Sequence, residues 1–268
     1  MIRILGVSKS TLYYKPKGYP ERQPSSRKDL SEESKNAILE ITGKKSTYGC
    51  PRVRAILKRD YQIELSKYMV NRFMKEEGLL IVRNRPRGSS RSHTGKIAVG
   101  TPNTRWASDI TSIKCWNGEK LRLTYILDCC DRSIIAWKAG AHMQACDIEL
   151  LLQDALFARF DNGLPENGTL QFLHDNGPEY IEKRLKNSVE QWGIQDCNTP
   201  TYSPQSNGMC EAFNGTFKRD YVYESCLDSA ASVHNQIQKW VDEYNNYAPH
   251  SALDMKTPTE FYIFKTAA

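Results

Sequence analysis

Residues 106–140 write three extended segments in succession, and that run limits most of what this chain can fold into. "WASDITSI" (106–113) is rich in β-formers and alternates in polarity, the period-two pattern of a half-buried strand. Asn117-Gly118 marks a hairpin turn, and "KLRLTYILDCCD" continues as the partner strand. Asp131-Arg132 turns the chain into a third strand, "SIIAWKAG". A helix "DIELLLQDALFARF" (147–160), a strand "TLQFLHDN" (169–176), a helix over about 179–192 ended by Gly193 and a short strand "IQDC" follow. A last helix grows out of "SPQSNGMCEAFNGTFKRD" (203–220). The order β-β-β-α-β-α-β-α predicts a mixed α/β sheet, a meander first and crossovers later.

The region before this core has the opposite charge. Residues 1–105 carry 23 Lys and Arg against 9 Asp and Glu, whereas 106–268 carry 14 against 22. A basic front on an acidic back predicts a polyanion-binding part joined to a part where carboxylates gather. With 268 residues, 40% of them hydrophobic, and a mean hydropathy of −0.59, two modest globular domains fit. No apolar run reaches the roughly 18 residues of a membrane span, and "MIRILGVSKS" lacks a signal-peptide core. A cytoplasmic protein without a membrane partner is expected. The eight cysteines form no C-x-x-C pair, which predicts buried hydrophobes rather than a zinc site.

Four segments are expected. Residues 1–27 contain "LGVSKSTLYY" (5–14), which reads either as the turn and second helix of a helix-turn-helix or as an amphipathic terminal segment. Residues 28–82 form a small all-α unit. Ser31 caps "SEESKNAILEITGK", Pro51 opens "YGCPRVRAILKR", and Ser66 caps "SKYMVNRFMKEEGLL", which Gly78 stops. Its basic residues Arg52, Arg54, Lys58 and Arg59 are candidate DNA contacts on a helix-turn-helix-like domain. Residues 83–104 form a linker in which Arg83, Arg85, Arg87, Arg91 and Lys96 occur without an acid. Such an arm tracks phosphates or simply stays solvated. Residues 105–268 hold the mixed core and C-terminal helices.

Three acids in the core stand out. Asp109 lies inside the first strand, where burying a carboxylate is costly unless it is paired or holds a metal. Asp175 ends the fourth strand, at the sheet edge where α/β sites form. Projected at about 100° per residue, Glu211, Asn214, Gly215 and Lys218 share one face of the last helix. Cys210, Phe213, Phe217 and Tyr221 form the opposite, anchoring face. Glu211 is therefore poised over the strand ends, with Lys218 two turns along.

Asp109, Asp175 and Glu211, the last two separated by 35 residues, resemble the acidic triad of retroviral-integrase-like DDE transposases. The stretches "RWASDITSI", "LDCCDR", "HDNGPEY", "SPQSNGMCEAFNGTFKRDY" and "YNNYAPHSALDMKTPTEF" resemble the OrfB-type transposases of bacterial insertion sequences. "YGCPRVRAILKR" and "HTGK" extend the likeness upstream. The resemblance implies a ribonuclease H-like, five-stranded mixed sheet and metal-dependent strand cleavage and transfer at inverted-repeat DNA ends. It implies Asp109, Asp175 and Glu211 as catalytic metal ligands and Lys218 as a contact to the DNA end. Two Mg²⁺ ions, with Mn²⁺ as a substitute, suit three converging carboxylates. It also implies a homo-oligomer on double-stranded DNA and a fusion with an upstream reading-frame product. Two departures stand: there is no His-His-Cys-Cys zinc module, and His174 replaces the serine that many relatives carry before the aspartate. A catalytically silent DNA-binding regulator and a nuclease of the same fold are the competing readings.

Overall fold

The computed structural model describes residues 29–81, 98–160, 163, 165, 169–198 and 208–267. The amphipathic segment at 5–14, the arginine-rich linker with Arg83, Arg85, Arg87 and Arg91, and most of "SPQSNG" lie outside the described residues.

The helical unit begins with α1 (Glu32–Lys44), where Ser31 accepts the Ser34 amide and Glu32 and Glu33 complement the helix dipole. α2 (Cys50–Asp60) starts from Gly49 with Pro51 in its first turn. α3 (Lys67–Glu76) is capped by Ser66, which accepts the Met69 amide. The chain leaves it through Gly78 at φ +68°, a conformation that favours glycine. Ile38, Ile41, Val53, Ile56, Leu57, Val70, Phe73 and Met74 close one apolar cluster between the three helices.

The core is a five-stranded sheet in the order β3-β2-β1-β4-β5, formed by β1 (Arg105–Lys114), β2 (Lys120–Asp128), β3 (Ile134–Gly140), β4 (Gln171–His174) and β5 (Gln195–Asn198). The first three strands are antiparallel, and β4 and β5 join parallel. Gly118 turns the first hairpin at φ +90°. The two sheet faces take different partners. Trp106, Ile126 and Phe172 pack under α4 (Ala145–Arg159), α5 (Pro178–Ile181) and α6 (Lys183–Gln191). Ala107, Tyr125 and Leu127 pack under α7 (Gly208–Phe217) and α8 (Ala230–Asn246). Asn245 of α8 covers part of the β3 edge, accepting the Ile134 amide and donating to its carbonyl. The chain ends in α9 (Pro258–Thr266), opened by a Thr257–Glu260 capping box. None of the described helices is long and apolar enough to cross a membrane.

The single helix expected over 179–192 is two helices, broken at Glu182 with ψ 134°. The cause is phase. Tyr180, Leu185 and Val189 are all buried, but an unbroken helix would turn Leu185 about 140° away from Tyr180. Breaking the helix at Glu182 lets all three face the sheet.

After Phe217 the helix widens into a π turn, Lys218–Val222, in which the Tyr223 amide donates to the Lys218 carbonyl at 2.8 Å. The turn directs Asp220 inward, where its side chain is 2% exposed. Arg219 donates to both of its oxygens (2.6 and 2.9 Å), and Arg52 of α2 reaches Oδ2 at 2.5 Å. Around this clamp Lys45 pairs with Glu243 and Ser46 donates to Glu224. Arg59 donates to the Tyr247 carbonyl and lies over its ring. The helical unit is thus fastened to the element that carries Glu211.

Burial alone would raise the Asp220 carboxyl pKa, but the hydrogen bonds and charges of Arg219 and Arg52 hold it below the ordinary carboxylate value. Its stabilising contribution is therefore present above about pH 4 and is lost as pH falls through the lower folded value. Asp220→Asn should cost about 1–3 kcal/mol at neutral pH, measured by urea denaturation. The gap to wild type should narrow on acidification; equal midpoints at neutral pH would show that the clamp contributes nothing.

Candidate active site

Asp109 stands in the middle of the central strand, paired in register with Tyr125, on the sheet face that α7 covers. Its Oδ1 accepts the Ile110 amide at 2.9 Å, and its Oδ2 accepts from Asn214 Nδ2 at 2.8 Å. Asn214 is itself held from the other side, where the Tyr125 hydroxyl donates to its Oδ1 at 3.1 Å. Burial pushes the Tyr125 phenol well up, so it stays a donor at neutral pH. Tyr125 also packs on Phe213, ring centroids 4.3 Å apart, fixing α7 against the strand.

Burial is the first cause that pushes the Asp109 carboxyl above the usual carboxylate range. The charges of Asp175 and Glu211 push the same way, while the Ile110 amide and Asn214 oppose them. Asp175 and Glu211 therefore both lie within electrostatic reach of Asp109. Lys218 belongs to the same neighbourhood: burial lowers its ammonium pKa, and the Asp109 charge raises it.

Asp175 is the first residue past β4. Its Oδ1 accepts the Gly177 amide at 2.9 Å, a local turn that sets the carboxylate's direction. Glycine at 177 is a matter of space, because a Cβ there would lie 3.0 Å from Asp175 Oδ1 and 3.4 Å from Glu179 Oε2. Glu179 is paired with Arg122 at 2.7 Å. Behind Asp175 sits buried His174. Its Nδ1 donates to the Asp175 carbonyl at 2.6 Å, and its Nε2 meets Asp196 Oδ1 of β5 at 2.7 Å. The imidazole stacks on Tyr180 at 4.8 Å, and the Tyr180 and Ser108 hydroxyls are hydrogen-bonded at 2.8 Å. Both aspartates are thus braced from below through neighbouring residues.

Glu211, in the first turn of α7, is exposed. Among the described residues no three His, Cys, Asp or Glu side chains lie close enough to hold a metal ion, so Asp109, Asp175 and Glu211 do not close into a ligand cage. The donor set itself is all carboxylate oxygen, which suits hard divalent cations. The Asn214 amide supplies Asp109 with the donor that a cation would replace.

The proposed DNA contacts divide. Lys218 lies within reach of the Asp109 charge. Arg52 is engaged by Asp220 and packs over the Tyr48 ring, and Arg59 is engaged by Asp60 and Tyr247. Both hold the helical unit on the core through these contacts. Arg54 donates to the Leu65 carbonyl, bracing the α2–α3 turn, and exposed Lys58 pairs with Glu64. Sequence reasoning missed the roles of Asn214, Tyr125, Glu179 and the His174–Asp196 pair. Only Asn214 carried a signal, its place three residues after Glu211.

A carboxyl whose pKa is raised on folding is most favourable when protonated, so ionised Asp109 costs stability as pH rises through its folded value. Asp109→Asn should accordingly raise stability at neutral pH by about 0.5–2 kcal/mol, with the gain vanishing in acid. Thermal melts at two pH values check this, and a destabilised variant would contradict the electrostatic reading.

Residues 100–204 and 192–258 match integrase core domain families, and residues 29–87 match an HTH-like domain family. The chain is 37% identical over 195 residues to an uncharacterized protein of insertion element IS136 from Agrobacterium fabrum, covering 72% of this chain and 100% of that one. It is 34% identical over 231 residues to the transposase InsD of insertion element IS2 from Escherichia coli, covering 84% and 76%. A chain of the simian T-cell lymphotropic virus intasome shares the fold at TM-score 0.54 and 18% identity, covering 78% of this chain and 74% of that one. The chain belongs to the insertion-element transposases that carry a ribonuclease H-like integrase core behind a helix-turn-helix-like domain.

Proposed function

We propose that this transposase performs divalent-metal-dependent strand cleavage and strand transfer at the inverted-repeat ends of its own insertion element. The observation that carries this reading is the placement of Asp109. It is a half-buried carboxylate on the central strand, subject to the charges of Asp175 and Glu211, with Lys218 within reach of its charge.

In this proposal Asp109, Asp175 and Glu211 hold two Mg²⁺ ions, or Mn²⁺ in their place. Bound metal supplies activation of water or a 3′-hydroxyl and charge stabilisation of the leaving oxygen. The remaining work belongs to the chain. Asn214 and Tyr125 keep the Asp109 carboxylate aimed out of the sheet, and the His174–Asp196 pair fixes the strand end that presents Asp175. Lys218 meets the DNA end, neutralising a phosphate where the acids would repel it. The helical unit of 28–82 and the basic linker of 83–104 supply the long-range attraction that the net-negative core lacks. Arg83, Arg85, Arg87 and Arg91 are assigned to phosphates on composition alone. Pairing two element ends calls for a homo-oligomer on DNA, and a fusion with an upstream reading-frame product would add a further end-recognition module.

The test incubates wild type and Glu211→Gln with duplexes carrying the element's ends and Mg²⁺ or Mn²⁺. Glu211→Gln should keep DNA binding and lose about 10²–10³-fold in cleavage rate. Wild type that binds the ends yet neither cleaves nor joins them, alone or fused, would leave the regulator reading in its place.

A further inference from the structure

α7 has a second side besides the one that carries the acids. At about 100° per residue, Met209, Phe213 and Thr216 lie on the side away from Glu211 and Asn214. They line a cavity of about 290 Å³, which Arg52 of α2, Arg132 of the β2–β3 turn and His250 help to close. Two polar atoms of these lining residues are buried without a hydrogen-bond partner, Arg132 Nε and His250 Nε2. Among the described residues the Arg132 guanidinium has no ion pair either. Arg132 is also held at φ +64°, a conformation that favours glycine or asparagine, so the turn it makes does not account for an arginine there.

His250 is fixed by a closed loop. Its amide donates to the Lys256 carbonyl, and the Leu253 and Met255 amides donate to its own carbonyl. The imidazole packs edge-on against Tyr244 at 4.6 Å and is hydrogen-bonded to the Tyr244 backbone, which leaves Nε2 as the open nitrogen. The surrounding charge is cationic. Asp220 is shared by Arg52 and Arg219, and Asp131 is answered by Arg159, so Arg132 stands unanswered. Burial first, then Arg52 and Arg132, push the imidazole down to about 4 against the pull of the Tyr244 backbone and Asp220. Burial pushes the Tyr244 phenol up. At neutral pH Nε2 is therefore a lone-pair acceptor beside unspent guanidinium donors.

We propose that this cavity binds a phosphate monoester group, with its charged oxygens on the Arg132 and Arg52 guanidiniums and its remaining hydroxyl donating to His250 Nε2. Two demands select that class. The guanidiniums require an oxyanion, and the imidazole requires that the oxyanion still carry a hydrogen. A carboxylate, ionised above about pH 4, has lost its hydrogen at neutral pH, and a phosphodiester has none to give. A phosphate monoester, whose second ionisation falls near pH 6, keeps one in part of its population. The cavity is close to the lower size of small-molecule sites, about 300 Å³, and Thr216 and Ser251 bring hydroxyls to it. Inorganic phosphate, a free nucleotide and the 5′-phosphate of a DNA strand end all present this chemistry.

The test titrates the full chain with inorganic phosphate and with sulfate at matched ionic strength, reading affinity by calorimetry. Sulfate has the same shape and charge but no hydrogen to donate. At about pH 6 wild type should bind phosphate about tenfold more tightly than sulfate, and the preference should shrink at about pH 8 as the hydrogen is lost. Arg132→Gly suits the positive φ and should melt no lower than wild type without ligand, yet lose about tenfold in phosphate affinity. His250→Phe should bind phosphate and sulfate alike. Thymidine 5′-monophosphate, and one duplex with and without 5′-phosphates, separate the sources: the true one gains affinity from its phosphate in wild type and not in Arg132→Gly. Equal wild-type affinity for phosphate and sulfate at the lower pH, or full phosphate affinity in Arg132→Gly, overturns the site. Either result leaves the strand-transfer reading standing, because no cleavage is measured.

Discussion

An ionised carboxylate in the middle of a central strand is the constraint around which the catalytic half is organised. Asp109 is held half out of solvent, because β2 pairs with its strand and Asn214 of α7 reaches its carboxylate. It must be met by donors, and the structure provides two, the Ile110 amide and Asn214. Asn214 can serve only if α7 holds one rotation, which the aromatic stack of Phe213, Phe217 and Tyr221 on Tyr125, Trp240 and Tyr244 imposes. Glu211 then follows as a geometric consequence, one turn earlier on the same helix. Packing of hydrocarbon on one side of α7 thus sets the position of charge on the other.

The same logic explains what could be read from sequence. The meander, the strand holding Asp109 and the two faces of α7 are written in periodicity, which depends only on neighbouring residues along one element. The position of Asp175 at the end of β4 was legible because Asn176-Gly177-Pro178 turns the chain there. The brace beneath it was not: His174 meets Asp196 across twenty-two positions, and nothing in either local pattern announces the pair. The break at Glu182 was hidden for a related reason, since only the burial of Tyr180 together with Leu185 makes a continuous helix untenable.

Charge was the least legible property. Counting basic residues correctly marked the first 105 as cationic, but a count does not say where a guanidinium is used. Arg52 and Arg59 are drawn to Asp220 and to Asp60 and the Tyr247 carbonyl, partners supplied by residues that a one-dimensional reading treats as solvated. Arg52 and Arg59 became fastenings to the core, whereas Lys35, Lys44 and Lys58 pair with nearby glutamates at the surface. Planar guanidinium groups suit fixed, multidentate contacts in a way that ammonium groups do not.

The π turn that places Asp220 has a consequence for how DNA is measured. Because it follows directly on the helix bearing Glu211 and holds Arg52 of the helical unit, the clamp joins reader and cutter without relying on the covalent connection through 82–97. Two bodies joined only by a chain would sample many separations, and the cut would fall at a scatter of positions. Joined through Asp220, the two parts would keep one separation set by protein packing, a fixed measure along DNA under the proposed function. Under the proposed function, the interval between the DNA held by the helical unit and the bond broken would be set by the Asp220 clamp together with the Lys45–Glu243, Ser46–Glu224 and Arg59–Tyr247 contacts.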